Sequence, residues 1–212
     1  MDSQRVTRLI LISGNRQRRS WRRRLLPNGN ERQKFGEPLG DFSLRSLSGA
    51  TVTLESRLQG KRGAVVVIWS SVCSHCVRYD RYFNGFEDRY PDLSLTVVSA
   101  RLGETLDSVR KAAAQRKLEF CLVHDAESKV ARQWFSEQTP RAFLVDAGRA
   151  LIYRGAIDNY KLPEDPDYVA YLDPAIDEFL NGRPVTRQET ASYGCAIHSV
   201  YYVLPKAFTK AV

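Results

Sequence analysis

The run Ala64-Val65-Val66-Val67-Ile68-Trp69 constrains this chain more than any other feature, and Cys73-Ser74-His75-Cys76 follows it closely. Six apolar residues without polar alternation, mostly β-branched, fit a strand covered on both faces. Such a strand belongs to a sheet with helices on either side, in the α/β or α+β class.

The flanking segments agree. Phe42-Ser-Leu-Arg-Ser-Leu and Val52-Thr-Leu alternate around Ser48-Gly49, the pattern of an N-terminal β-hairpin. Val77, Tyr79, Tyr82, Phe83 and Phe86 recur at helical spacing, so a helix is expected from about Cys76 to Tyr90, stopped by Pro91. A strand at Leu93–Val98 follows. A helix over Glu104–Lys117 presents Leu106, Val109 and Ala113 on one face. A short strand at Phe120–Val123 and a short helix at Ser128–Phe135 come next. Two strands then lie on either side of Gly148, and a helix is expected at about Tyr168–Leu180. Cys121 and the pair Trp134-Phe135 read as core, His124 and Asp125 as polar loop. The segment 182–212 is weakly patterned; its apolar run Val200–Leu204 suits packing on the domain or an added strand.

Charge divides the chain. Residues 1–34 hold ten of the 32 basic residues and two of the 24 acids, so this arm accounts for the whole net charge of +8. Pro27-Asn28-Gly29-Asn30 marks its end as a turn. The arm is expected to be a solvated, disordered segment, with a weak contact to anionic surfaces as the sharper alternative. Trp21 is its one aromatic residue, and the remaining chain is charge-balanced, so nothing points to nucleic-acid binding. The expected organisation is this arm (1–34), a core domain (35–160) and a C-terminal helix with extension (161–212). No stretch of about 18 apolar residues suits a membrane span. The run Leu9–Ile12 is too short for an export signal, and the arginines follow it instead of preceding it. As written, the chain is expected to be cytoplasmic; export would require a different start.

Cys73 and Cys76 form a CxxC at a strand-to-helix junction, the arrangement that suits thiol–disulfide exchange. The thiolate is the nucleophile, and a free thiol of pKa about 8.5 is only about 3% ionised at neutrality. A shift of about two units needs about 2.7 kcal/mol. A helix N-terminus, an imidazole from His75 and the second thiol are the groups at hand to supply it. Two intervening residues set Cys76 one turn away, within reach to resolve a mixed disulfide. The rival readings are inert core cysteines and half of a zinc site. Zinc would need further ligands from Cys121, His124, Cys195 or His198, whose spacing is irregular. No bound cofactor is required for the exchange chemistry.

The stretch Val67-Ile-Trp-Ser-Ser-Val-Cys-Ser-His-Cys resembles the thioredoxin-like redoxins of the AhpC/TSA superfamily, including the cytochrome-maturation type of thiol oxidoreductase. In that family a strand ends in Trp four residues before the first Cys, as Trp69 does here; a second Trp usually precedes the Cys, where this chain has Val72. Gly40-Asp-Phe-Ser-Leu looks like the entry hairpin, and Thr139-Pro140 like the cis-proline loop along which a substrate strand pairs. The resemblance covers about 36–160. It implies a thioredoxin fold, a mixed central sheet with helices on both faces. It also implies protein disulfides or dithiols as substrates, a redox partner, and a groove shaped by Pro140 and lined by Trp69. Gly155-Ala-Ile-Asp-Asn, Thr190 and Gly194-Cys195-Ala-Ile are similar to a C-terminal extension of some bacterial redoxins. Cys195 is read first as a buried thiol, with a third redox thiol as the alternative.

Two other functions compete. A peroxiredoxin-like peroxidase using Cys73 would have Pro and Thr or Ser seven and three residues before it; Ser70 fits, but Val66 stands in the proline position. A non-enzymatic metal-binding module would use Cys73, Cys76 and a histidine.

Overall fold

The computed structural model describes residues 32–198. The chain divides between Arg32 and Gln33, and every element below lies in the second unit. The basic arm through residue 31 and the run Val200–Leu204 lie outside the described residues.

The hairpin forms as β1 (Ser43–Ser46) and β2 (Thr51–Thr53), antiparallel, with Leu44 opposite Val52. A short helix α1 (Leu54–Leu58) follows under a capping box at Thr53 and Ser56. The apolar run becomes β3 (Gly63–Trp69), every residue of it buried. Beside it lie the parallel β4 (Leu93–Ser99) and the antiparallel β7 (Arg141–Asp146). With β5 (Cys121–His124) and β8 (Leu151–Gly155), the mixed seven-stranded sheet has the order β2-β1-β5-β4-β3-β7-β8.

Alternate residues of β3 enter different cores, which is why the run shows no polar alternation. Val65, Val67 and Trp69 face one core, with Phe83, Phe86 and Val109. Ala64, Val66 and Ile68 face the other, with Leu54, Val130, Trp134 and Phe143. The first core is roofed by α5 (Leu106–Arg116) and α7 (Leu172–Leu180), the second by α1 and α6 (Lys129–Gln133).

Three expectations are corrected. The helix read across Cys76–Tyr90 is broken into α2 (Ser74–Val77), α3 (Asp80–Asn84) and α4 (Phe86–Arg89). Tyr79 (ψ 2°) and Gly85 (ψ 14°) leave helical geometry, so Cys76, Phe83 and Phe86 reach one core from three short pieces, with Tyr79 beside them at the first junction. The C-terminal helix begins at Leu172, because Tyr171 and Leu172 spend their N–H groups on the Ile157 carbonyl. Of the Trp134-Phe135 pair only Trp134 is buried; Phe135 turns through a positive φ of 53° and stays half-exposed.

Past α7 the chain returns across the molecule. The Thr190 N–H donates to the Arg154 carbonyl (3.2 Å), and Cys195–Ala196 (β9) pairs antiparallel with Gln138–Thr139 (β6). No helix among the described residues is long and apolar enough to cross a membrane.

Candidate active site

The strand β3 ends at Trp69, and the loop Ser70–Val72 carries the chain to Cys73, the N-cap of α2. This loop is held from below. Glu104, a buried carboxylate, accepts from the Ser71 N–H (2.7 Å), the Ser71 hydroxyl and the Ser99 hydroxyl (2.6 Å). Arg116 donates to the Ser71 carbonyl (2.9 Å) and forks onto both Asp80 oxygens (2.7 and 2.8 Å), with its guanidinium over the Trp69 ring. Burial raises the Asp80 pKa against that pairing. Glu104 reads in sequence as an ordinary helix-start acid and Arg116 as a solvated helix residue; nothing local marks either as a loop support.

Trp69 was expected to line the groove. It is fully buried in the first core, so it supports the loop from beneath. Among the exposed apolar side chains, Val72 and Val77 flank the two thiols in the chain and Tyr160 packs on the His75 ring.

Cys73 and Cys76 are both fully buried. The Cys76 N–H donates to the Cys73 carbonyl (2.9 Å), the tight turn that a two-residue spacing produces. The Cys73 thiol is lowered to about 3. Hydrogen bonding from Cys76 is the main cause, opposed by burial and helped by Cys195 and Thr139. Cys76 is pushed well above its ordinary value, by burial first and then by the Cys73 charge. The two thiols are thus displaced in opposite directions, Cys73 toward the thiolate and Cys76 toward the thiol. In its protonated form Cys73 points at the Thr139 carbonyl, 3.3 Å away. The helix dipole contributes little, since α2 is a single turn of four residues.

Thr139 and Pro140 lie against this pair, both buried, joined by a cis peptide bond. Opposite Thr139 stands Cys195, and the Thr139 hydroxyl donates to its carbonyl (3.4 Å). Cys195 is not the buried thiol first read from the sequence: it is half-exposed, and its sulfur lies 3.9 Å from His75 Nδ1. Cys73 Sγ, Cys195 Sγ and a His75 nitrogen lie within 4.8 Å of one another. The His75 ring also packs on Tyr160, at 4.7 Å between centroids. Burial raises the Cys195 thiol, and so does the neighbouring Cys73.

The remaining candidates stand apart. Cys121 is half-buried in β5, its pKa raised by burial, and His124 Nε2 lies 2.9 Å from the Glu104 carbonyl oxygen. His198 is exposed and outside the cluster of Cys73, His75 and Cys195.

The profile of the AhpC/TSA family matches residues 35–154. Among solved structures, a hypothetical protein from Sinorhizobium meliloti 1021 is 25% identical with a TM-score of 0.68, over 79% of this chain and 95% of its own. An uncharacterized conserved protein from Geobacillus kaustophilus is 21% identical with a TM-score of 0.69, over 79% and 93%. The thioredoxin domain of a thiol-disulfide oxidoreductase from Bacteroides vulgatus is 19% identical with a TM-score of 0.51, over 57% and 88%. No curated protein matches. The fold is the thioredoxin fold, and fold and family together mark a redox protein of the thioredoxin-like kind. The matched stretch takes in β1 to β7, both thiols of the CxxC and the cis-proline loop, and stops short of the segment carrying Cys195: the chain belongs to the AhpC/TSA family.

Proposed function

We propose that this protein is a thiol–disulfide oxidoreductase whose working pair is Cys73 and Cys76. The observation that carries this reading is a buried CxxC at the strand-to-helix junction, with Cys73 at the helix N-cap and its sulfur 3.3 Å from the carbonyl of Thr139, which precedes the cis Pro140; the lowering of Cys73 to about 3 and the raising of Cys76 agree with it. In the reaction the Cys73 thiolate attacks one sulfur of a substrate disulfide, and the other sulfur leaves as a thiolate. Cys76 then gives up its proton and attacks Cys73, which closes the Cys73–Cys76 disulfide and releases the reduced substrate. The oxidising direction runs these steps in reverse. A dithiol whose reduced form is held by an ionised thiolate gives up its disulfide readily, so the pair favours oxidising its partners. Protein dithiols and disulfides are the substrates that this exchange chemistry acts on.

Peroxidase chemistry has less support. Val66 stands where a proline would be needed, and the buried Ser70 hydroxyl accepts from the Val72 N–H (3.4 Å). The metal-binding alternative draws on Cys73, His75 and Cys195, leaving out Cys76, which the CxxC reading had included.

The test is a glutathione redox titration of wild type and Cys73→Ser, with alkylated thiols mapped by mass. The expected result is one Cys73–Cys76 couple, at about −120 to −180 mV if it is oxidising, with exchange activity lost in Cys73→Ser. Full activity in Cys73→Ser overturns the assignment. Stoichiometric metal that resists reductant, with neither thiol titrating, replaces it with the metal-binding reading.

A further inference from the structure

We propose that Cys195 is a third redox thiol, held where a substrate cysteine would sit, and that it forms a disulfide with Cys73 during turnover. This rests on the oxidoreductase reading above and names the immediate substrate of Cys73 as a sulfur of its own chain.

Three independent features place Cys195 there. The first is backbone pairing. A substrate strand would add to the edge that ends at Pro140, and β9 already occupies that edge, antiparallel, with Cys195 opposite Thr139. Thr139 is also the residue whose carbonyl faces the Cys73 sulfur.

The second is the closeness of the fit. A Cβ at Gly194 would collide with the Thr139 carbonyl group and touch Pro140, so only glycine lets the chain lie this near. The segment is fastened on both sides of the thiol. Upstream, the Thr190 hydroxyl meets the Tyr153 hydroxyl (2.7 Å) and accepts from the Ala156 N–H (2.9 Å). Glu189 takes both arms of Arg154, each at 3.1 Å. Downstream, Ile197 is fully buried in the second core and its N–H donates to the Glu137 carbonyl (3.0 Å).

The third is the gradient of exposure. Cys76 and Cys73 are covered, while Cys195 is half-exposed. An external disulfide therefore meets Cys195 first. Its thiol proton passes to His75 Nδ1, 3.9 Å away. The Cys195 thiolate attacks the disulfide, forming a Cys195 mixed disulfide and releasing one thiolate. Cys73 attacks the Cys195 sulfur, forming Cys73–Cys195 and releasing the second thiolate. Cys76 attacks Cys73, leaving Cys73–Cys76 oxidised and Cys195 again a thiol. Two electrons pass from the Cys73–Cys76 pair to the external disulfide, and no other reactant is needed. The Cys73 and Cys195 sulfurs, no more than 4.8 Å apart, need only side-chain rotation and a small closure to reach the about 2.05 Å of a disulfide.

The experiment treats full-length Cys76→Ser with oxidised glutathione, quenches it with acid, and maps linkages by mass. The expected product is lighter than the reduced chain by two hydrogens, with a Cys73–Cys195 linked peptide that disappears in Cys76→Ser/Cys195→Ser. Accumulation of a Cys73 glutathione adduct with Cys195 still free overturns the relay. A Cys73 that never reacts, in this variant and in wild type, fails the oxidoreductase reading itself. Because a substitution at 195 disturbs a packed segment, wild type is also sampled early with limiting oxidised glutathione. A transient Cys73–Cys195 peptide is expected there, and its absence while Cys73–Cys76 forms overturns the proposal. In Cys195→Ser, oxidation of the Cys73–Cys76 pair is expected to slow about tenfold, since the accessible thiol is gone and the nucleophile is covered; an unchanged rate counts against the relay.

Discussion

Cys73 is fully buried yet holds its proton weakly, because the thiols of Cys76 and Cys195 and the Thr139 hydroxyl all turn toward it. The other three cysteines are displaced the opposite way, each chiefly by burial. The reduced chain should therefore show a single thiolate by ultraviolet absorbance from neutrality down to about pH 5, absent in Cys73→Ser. An absorbance that fades with the midpoint of an ordinary thiol would contradict this placement. The CxxC itself was legible, since a reactive pair at a strand-to-helix junction is a local pattern. Its chief tuning group, the second thiol Cys76, was legible with it; the contributions of Thr139 and Cys195 were not. Thr139 and Cys195 lie 66 and 122 positions beyond Cys73 in the numbering, and only the folded sheet brings them to its sulfur. Trp69 shows the converse: its place in the pattern was readable, but its complete burial depends on Arg116 and the first core.

Among the elements, β3 was readable because a strand covered on both faces needs no partner to reveal itself. The stretch 74–89 was not, because the spacing of Tyr79, Phe83 and Phe86 suits one helix as well as three short ones. The pairing of β9 with β6 left no trace in local pattern either; a two-residue strand is below the length at which alternation can be seen. Its upstream fastening can be tested through Thr190. Replacing it with valine removes the acceptor of the Ala156 N–H, while the Tyr153 hydroxyl still donates to the Ala156 carbonyl (2.6 Å). An unsatisfied buried group costs about 1–3 kcal/mol. In a domain of this size each kcal/mol lowers Tm by about 2–4 °C. Thermal unfolding of Thr190→Val should therefore occur several degrees below wild type, with faster alkylation of Cys195; an unchanged Tm and labelling rate would show that Thr190 does not anchor the segment.

For the whole molecule, the ionisation of one thiol links redox state to stability. The Cys73 pKa is depressed on folding, so the folded reduced protein binds fewer protons than the unfolded chain between about pH 3 and 8.5. Across that window the reduced form gains stability as pH rises; the gain is complete above the unfolded thiol pKa and is lost as pH falls toward 3. Cys76 acts in the opposite sense only at higher pH, where its raised pKa costs stability. The disulfide form has neither thiol to titrate. The difference in Tm between the reduced and oxidised proteins should thus widen in favour of the reduced form from pH 5 to about pH 8. Scanning calorimetry of both forms checks this, and a constant difference would contradict the ionisation assigned to Cys73.

Ile197 puts a clock on the site. The segment that covers the thiols ends in this side chain, sunk in the core on the far side of the sheet from Cys73. Lifting the cover means drawing an isoleucine into water, a cost of about 1.5–3 kcal/mol before any hydrogen bond is counted. From that term alone Cys73 would be uncovered in at most about one molecule in ten to one in a few hundred. Large partners that need Cys73 bare would then wait on a rare opening, while small disulfides that reach Cys195 would not, so molecular size becomes a criterion of selection without any contact that recognises the partner.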